Sequence, residues 1–195
     1  MYARLHAYLD SLPQGLDSFP ECRVKASLLR GALDDPGARV KLDALPERLA
    51  SLFGSPPPVT QWMPEVVSVA AHYAIADARG FDDDDVLMWT YRVNQRLAQS
   101  RLYRAMTAVA TPRLALRGAR LAWGMIHKGI GLSVRLEDDS ARLTVTHPRG
   151  VWPNLVHRAN ATGFRAVLES SGGSNVEVFV AESSPDRAIF DCSWT

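Results

Sequence analysis

The sequence has few of the features that mark a specialised class of protein. Its two cysteines, Cys22 and Cys192, are too few and too far apart for a disulfide framework. No run approaches the roughly 18 consecutive apolar residues of a transmembrane helix. The first eleven residues mix charged and apolar side chains, unlike a signal peptide. These absences predict a cytoplasmic protein with no membrane span.

The charge balance excludes another class. Lysine and arginine number 22 against 21 aspartates and glutamates, and the formal net charge is +1. A protein dominated by nucleic-acid binding usually carries a strong basic excess, so we expect no nucleic-acid partner. The 47% hydrophobic content is that of an ordinary globular protein. We predict a single domain over 1–195, with an N-terminal helical part and Pro-rich loop (1–58), central helices (59–129) and a β-β-α-β-β segment (130–195).

Motifs of catalysis and metal binding are also missing. There is no phosphate-binding glycine pattern, no cysteine pair at metal spacing, no GxSxG and no HExxH. The acidic run Asp82–Asp85 lacks the spacing and glycine of a calcium loop. It directly precedes an amphipathic stripe, where acidic side chains cap free helix N–H groups. The sequence therefore predicts a helix cap there, and no catalytic residue, no metal and no cofactor elsewhere.

The first two thirds of the chain have helical periodicity. One stripe runs from Val24 to Leu33, and a segment beginning at Pro64 is apolar nearly all round, which is typical of a central buried helix. Further helical patterns cover 86–97, 102–109 and a segment from Thr111-Pro112 to about Lys128.

After residue 129 the hydrophobic period changes from 3.6 to 2. Apolar residues alternate in 130–136, 141–145, 176–180 and 188–194, and turn residues separate each pair of segments. A helix from Trp152 to Leu168 lies between the two predicted hairpins. The sequence thus predicts an α+β fold, with an N-terminal helical half followed by a β-β-α-β-β four-stranded antiparallel sheet.

Aromatic residues and histidines supply the candidate site. Trp123 and His127 lie one turn apart where a helix meets the first strand, and Tyr73 and Trp89 come from the neighbouring helices. These four could wall a pocket for an apolar ligand. Ordinary core packing of the same residues is the alternative. Of the other histidines, we expect His147, which precedes Pro148, to be exposed.

Several stretches resemble a known family. Leu16–Leu33, Trp62–Glu65, Ser100–Arg104, Pro112–Trp123 and Phe190–Trp194 are similar to an uncharacterised myxobacterial paralogous family of about 200 residues. The order of elements also resembles four-vinyl-reductase-like domains, which accommodate hydrophobic small molecules, and haem nitric-oxide/oxygen-binding (H-NOX) domains. The latter resemblance implies a haem-ligating histidine near His127. The Tyr-x-Ser-x-Arg signature for the haem propionates is absent, since Leu143–Arg149 does not match it.

Together these features favour a non-enzymatic regulatory or signalling module. We expect it to bind a small apolar ligand or a protein partner. Two alternatives stay open: a purely structural protein–protein adaptor that could form a homodimer, and an enzyme with an unrecognised site.

Overall fold

The computed structural model describes residues 2–100 and 111–195. The predicted helical stretch 102–109 lies outside the described residues. The helical half contains α1 to α6, which span Ala3–Ser11, Ala26–Leu33, Glu47–Gly54, Glu65–Arg79, Asp83–Ala98 and Pro112–Ile126. Two short 3-10 helices, Gly15–Asp17 and Leu42–Ala44, join the first three of them.

Helix α4 is the centre of the helical half, as its apolar composition predicts. Its residues from Glu65 to Ala71 are all buried. The helix ends at Gly80, whose φ of 65° places it in the left-handed region that glycine adopts without strain. Helix α4 packs against several other helices in the core. A buried polar residue on it therefore needs a hydrogen-bond partner inside the protein.

Helix α5 begins as the acidic run predicts. Asp82 is the N-cap, and its carboxylate accepts a hydrogen bond from the backbone N–H of Asp85 at 2.9 Å. The Asp85 side chain accepts one in return from the Asp82 backbone N–H at 3.3 Å. This reciprocal capping box confirms the predicted cap.

A small antiparallel sheet was not predicted. It consists of β1 (Arg23–Lys25), β2 (Trp62–Pro64) and β3 (His127–Lys128), in the order β2-β1-β3. The interpretation of Val24 as part of a helical stripe was wrong, because the helix begins only at Ala26. Val24 pairs with His127, so this sheet fixes the end of α6 against the N-terminal part of the chain.

The large sheet confirms the predicted β-β-α-β-β order. Its strands β4 to β7 span Gly131–Leu136, Ser140–Thr146, Glu177–Ser184 and Arg187–Ser193, in the antiparallel order β4-β5-β7-β6. Helix α7, Asn154–Ser170, connects the two hairpins. Cross-strand pairs such as Leu143 with Phe190 form the buried face. Helix α7 packs against both α5 and β6, so it joins the sheet to the helical half.

In the described part of the chain, no helix is long and apolar enough to cross a membrane.

Candidate functional site

A partly open cavity of about 280 Å³ lies between the helical half and the sheet. Helices α4 and α5 border it on one side, and α6, α7 and the strands β4 and β5 on the other. Most of its described wall is apolar, as with Val69, Leu116, Ala119, Leu132 and Phe164. The few polar side chains that reach it are therefore the groups that could orient a ligand.

Three of the four predicted site residues line this cavity. Trp123, His127 and Tyr73 all contribute to its wall. Trp89 lies outside the wall, where its Nε1–H donates to the Asp35 carboxylate at 2.7 Å and its ring packs behind His72. The structure thus brings Trp123, His127 and Tyr73 around one space and places Trp89 behind it.

Trp123 is held firmly at the end of α6. Its ring stacks on the imidazole of His127 with centroids 4.2 Å apart, and it also stacks on Phe164 at 5.9 Å. Its indole N–H donates to the backbone oxygen of Ile130 at 3.0 Å. Because this donor is used within the protein, Trp123 offers the cavity only its apolar surface.

Glu65 is the site residue that the sequence reasoning missed. It is only 4% exposed and lies at the start of α4. One carboxylate oxygen accepts from Trp152 Nε1 at 2.9 Å, and the other lies 3.2 Å from His127 Nδ1. Buried charges need such partners, so these two contacts explain how a carboxylate is accommodated in the core. The available signal was the spacing of Glu65, Ser68 and His72, which form one polar stripe on the otherwise apolar first part of α4.

His72 has a fixed tautomer. Its Nδ1 lies 2.8 Å from the backbone oxygen of Ser68. A carbonyl oxygen can only accept, so Nδ1 carries the proton. Burial lowers the pKa of His72 and keeps the ring uncharged near neutral pH. Nε2 is therefore a lone-pair acceptor, and no described residue donates to it.

A second buried histidine cluster lies beside the cavity. The expectation that His147 is exposed was wrong: it is 7% exposed and packs on Trp152. Its Nε2 lies 2.8 Å from Nε2 of His157, whose Nδ1 lies 2.8 Å from the Ser183 hydroxyl. His147 Nδ1 must donate to the Pro148 oxygen at 3.0 Å. The chain of hydrogen bonds between neutral rings therefore runs from Ser183 through His157 to His147.

The two histidines of this cluster are weak bases. Burial lowers the pKa of His147, and burial together with the neighbouring His147 lowers the pKa of His157 to about 4. A general base works best with a pKa near the operating pH, so His157 is a weak proton acceptor for Ser183. The arrangement suits a structural link between α7 and β6 better than a catalytic triad.

The cysteines are equally unreactive. Both are free thiols buried in the core. Burial raises the pKa of Cys22 to about 12, and that of Cys192 to about 12 as well. Only the thiolate is a good nucleophile, so neither residue fits a catalytic role at neutral pH. Among residues 2–100 and 111–195, no group of three or more His, Cys, Asp or Glu side chains is placed to hold a metal ion.

Comparison with known proteins identifies the fold. No family model and no curated protein matches the sequence. Solved H-NOX domains match the structure: an oxygen-binding H-NOX domain related to soluble guanylate cyclases has a TM-score of 0.62 at 9% identity, over 87% of this chain and 92% of that one. An H-NOX protein from K. algicida, in the Fe(II) unliganded state, has a TM-score of 0.55 at 9% identity, over 88% and 96%. A mutant of the T. tengcongensis H-NOX has a TM-score of 0.56 at 12% identity, over 87% and 94%.

The chain therefore has the fold of an H-NOX domain, and the resemblance in element order is confirmed. Identities of 9–12% do not extend this likeness to ligand or activity. The further resemblance to a myxobacterial family stays an expectation.

The described cavity wall does not fit haem, the group that the fold resemblance implies. Haem carries two propionates, which need cationic or hydrogen-bond donor partners. Among the described lining residues there is no lysine or arginine, and the one acidic residue, Glu65, would repel them. A volume of about 280 Å³ also lies just below the usual range for sites of drug-sized ligands.

Proposed function

We propose that this chain, built on the H-NOX fold, is a non-enzymatic regulatory module that binds a small, mostly apolar ligand in the cavity between its helical half and its sheet. The cavity of about 280 Å³ between α4–α5 and α6–α7 is the observation that carries the proposal. An engineered apolar cavity of roughly 150 Å³ is enough to bind benzene. The present space is larger, and it has a few polar groups that could fix a ligand's orientation.

The position of α6 supports a regulatory role. One face of this helix lines the cavity through Leu116, Ala119 and Trp123, and its end continues into β3, which pairs with β1. A ligand that pushes on α6 would thus act on the small sheet and on the first strand of the large one. The solved H-NOX domain that binds oxygen shows that this fold can enclose a small molecule.

The lack of a well-placed nucleophile or base among the described residues supports a non-enzymatic role. At the cavity, Glu65 is held by Trp152 and His127, and burial lowers the pKa of His72 and raises that of Tyr73. Both thiols are buried, and the Ser183 hydroxyl faces a weakly basic histidine.

The test combines native mass spectrometry with a cavity-filling variant. We expect the purified protein to carry a small molecule, or to bind indole in calorimetric titration. Ala119→Leu places three additional carbons at the wall and should weaken this binding. Arg120→Leu, at the adjacent exposed position, adds apolar bulk outside and should leave binding unchanged. No bound molecule and no indole binding, or equal binding by both variants, would contradict a cavity site.

A second candidate function rests on the outer face of α6. Leu114, Leu121 and Met125 are 44%, 76% and 52% exposed and follow one another at helical spacing. The helix also carries three arginines and no acidic residue, so two copies packed on this face would bring like charges together. These features favour an acidic protein partner over the homodimer. Light scattering should therefore show a monomer, and Leu121→Glu should abolish capture of such a partner without lowering cavity binding.

A further inference from the structure

Several hydrogen-bond donors on the cavity wall are already used within the protein. Trp123 Nε1–H donates to Ile130 and Trp152 Nε1–H donates to Glu65, so both indole donors on the wall are engaged. The amide of Asn160 donates to the backbone oxygen of Val156 at 3.0 Å. The Thr90 hydroxyl donates back to α5, at 2.9 Å from the Val86 oxygen. The two indole donors and the Thr90 hydroxyl proton are therefore no longer available to a ligand.

Two of these side chains also carry acceptors. The Thr90 oxygen, whose proton is used, lies 3.5 Å from the Thr162 hydroxyl, and the Asn160 carbonyl oxygen has no described partner. His72 Nε2 is the third such acceptor, and its lone pair is fixed because Nδ1 donates to Ser68. A ligand with an N–H or O–H could donate to the lone pair of His72 Nε2, so this part of the wall is complementary to a molecule that supplies a donor.

Charge limits the ligand further. No lysine or arginine is among the described lining residues, so an anion would lose its hydration without gaining a counter-ion. The two oxygens of Glu65 are already held by Trp152 and His127, which leaves this carboxylate poorly placed to receive a cation. An uncharged ligand avoids this cost, because it enters the cavity without giving up the hydration of a charged group.

We infer that the cavity selects an uncharged aromatic or other apolar molecule that carries an N–H or O–H donor, with His72 Nε2 as the acceptor that binds it. This inference rests on the proposed cavity site and adds the chemical class of its ligand. His72 lies two helical turns from Glu65 on the same stripe of α4, about 10 Å along the helix axis. The donor of the ligand therefore binds at the α5 end of the cavity, and its apolar body extends towards Trp123.

Indole and benzofuran are a matched pair of probes, because they share size and shape and differ by an N–H in place of an oxygen. Calorimetric titration of the full chain should show indole binding about three- to tenfold more tightly than benzofuran, the range of one net hydrogen bond. His72→Phe keeps an aromatic ring and removes the acceptor, and it should make the two affinities equal. His6→Phe, the same change at an exposed histidine, should preserve the preference for indole.

The outcomes separate this inference from the proposed site. If the wild type bound indole and benzofuran equally and Ala119→Leu bound neither, the donor preference would be overturned and the cavity site would stand. A preference that persists in His72→Phe would overturn the role of His72. Binding of neither probe, or stoichiometric uptake of haemin with a Soret band that survives His72→Phe, would overturn the inference together with the proposed apolar ligand.

Discussion

Acid should destabilise this protein through His157, and the structure gives the size of the effect. The side chain is 1% exposed, and its pKa falls from the ordinary 6.5 to about 4. Between these two values the unfolded chain binds a proton that the folded chain does not. Stability from this residue is therefore fully present above pH 6.5 and is lost as the pH falls towards 4.

The magnitude follows from the linkage relation. Each pKa unit corresponds to about 1.36 kcal/mol, so lowering the pH from 7.5 to 5.0 should remove about 2 kcal/mol through His157 alone. Complete protonation below pH 4 should bring this to about 3 kcal/mol. The buried His147 and His72 have lowered pKa values as well and act in the same direction.

Urea unfolding followed by tryptophan fluorescence, at pH 7.5 and pH 5.0, measures this loss. His157→Gln removes the titrating group, so the difference in unfolding free energy between the two pH values should shrink by about 2 kcal/mol. His6→Gln, at an exposed position, should keep the full difference. A His157→Gln protein as acid-sensitive as the wild type would refute the reasoning, because the buried pair would then not be the group that binds the proton.

Three further predictions use the same unfolding measurement at neutral pH. Asp82→Ala should cost about 1 kcal/mol because it removes the cap of α5, whereas Asp82→Asn, which can still cap, should cost much less; equal losses would argue against the cap. Gly129→Ala should lower the free energy of unfolding by at least about 1–2 kcal/mol, because φ is +72° and a Cβ would lie 2.8 Å from a backbone oxygen. Gly118→Ala, in open space on α6, should instead raise it by up to about 1 kcal/mol. Phe190→Ala, at the fully buried centre of the sheet, should lower the free energy of unfolding by about 3–5 kcal/mol. Phe179→Ala, at a position that is 56% exposed, should change it by no more than about 0.5 kcal/mol. Similar losses for the two variants would mean that the buried face of the sheet is assigned wrongly.

Local patterns were enough to predict most elements. Alternation in 141–145 and 188–194 places Leu143 and Phe190 on one buried face, and the structure pairs them directly. The acidic run before Val86 is a cap because short side chains at a helix start bond the free N–H groups next to them. Both features depend on neighbours within a few residues, so the sequence alone contains the information.

The site was only partly predictable. Trp123 and His127 could be placed together because one helical turn separates them, and their stacking follows from that spacing. Glu65 escaped because its partners, His127 and Trp152, are 62 and 87 residues away in the chain. His147 was misjudged for the same reason, since a residue before proline in a loop has no local sign that a helix 10 residues later will bury it.

The sequence by itself thus determined the helical first half, the two hairpins with their intervening helix, the cap of α5, and the apolar character of α4. Each of these follows from side-chain period and short-range hydrogen bonding. Only the tertiary structure decided that β1, β2 and β3 form a second sheet, that α4 turns a polar stripe towards a cavity, and that Trp89 stands behind that cavity while Trp123 borders it. These features arise from pairing and packing between segments distant in the chain. Strands of two or three residues have no detectable period, and the space left between helices depends on how all of them pack together.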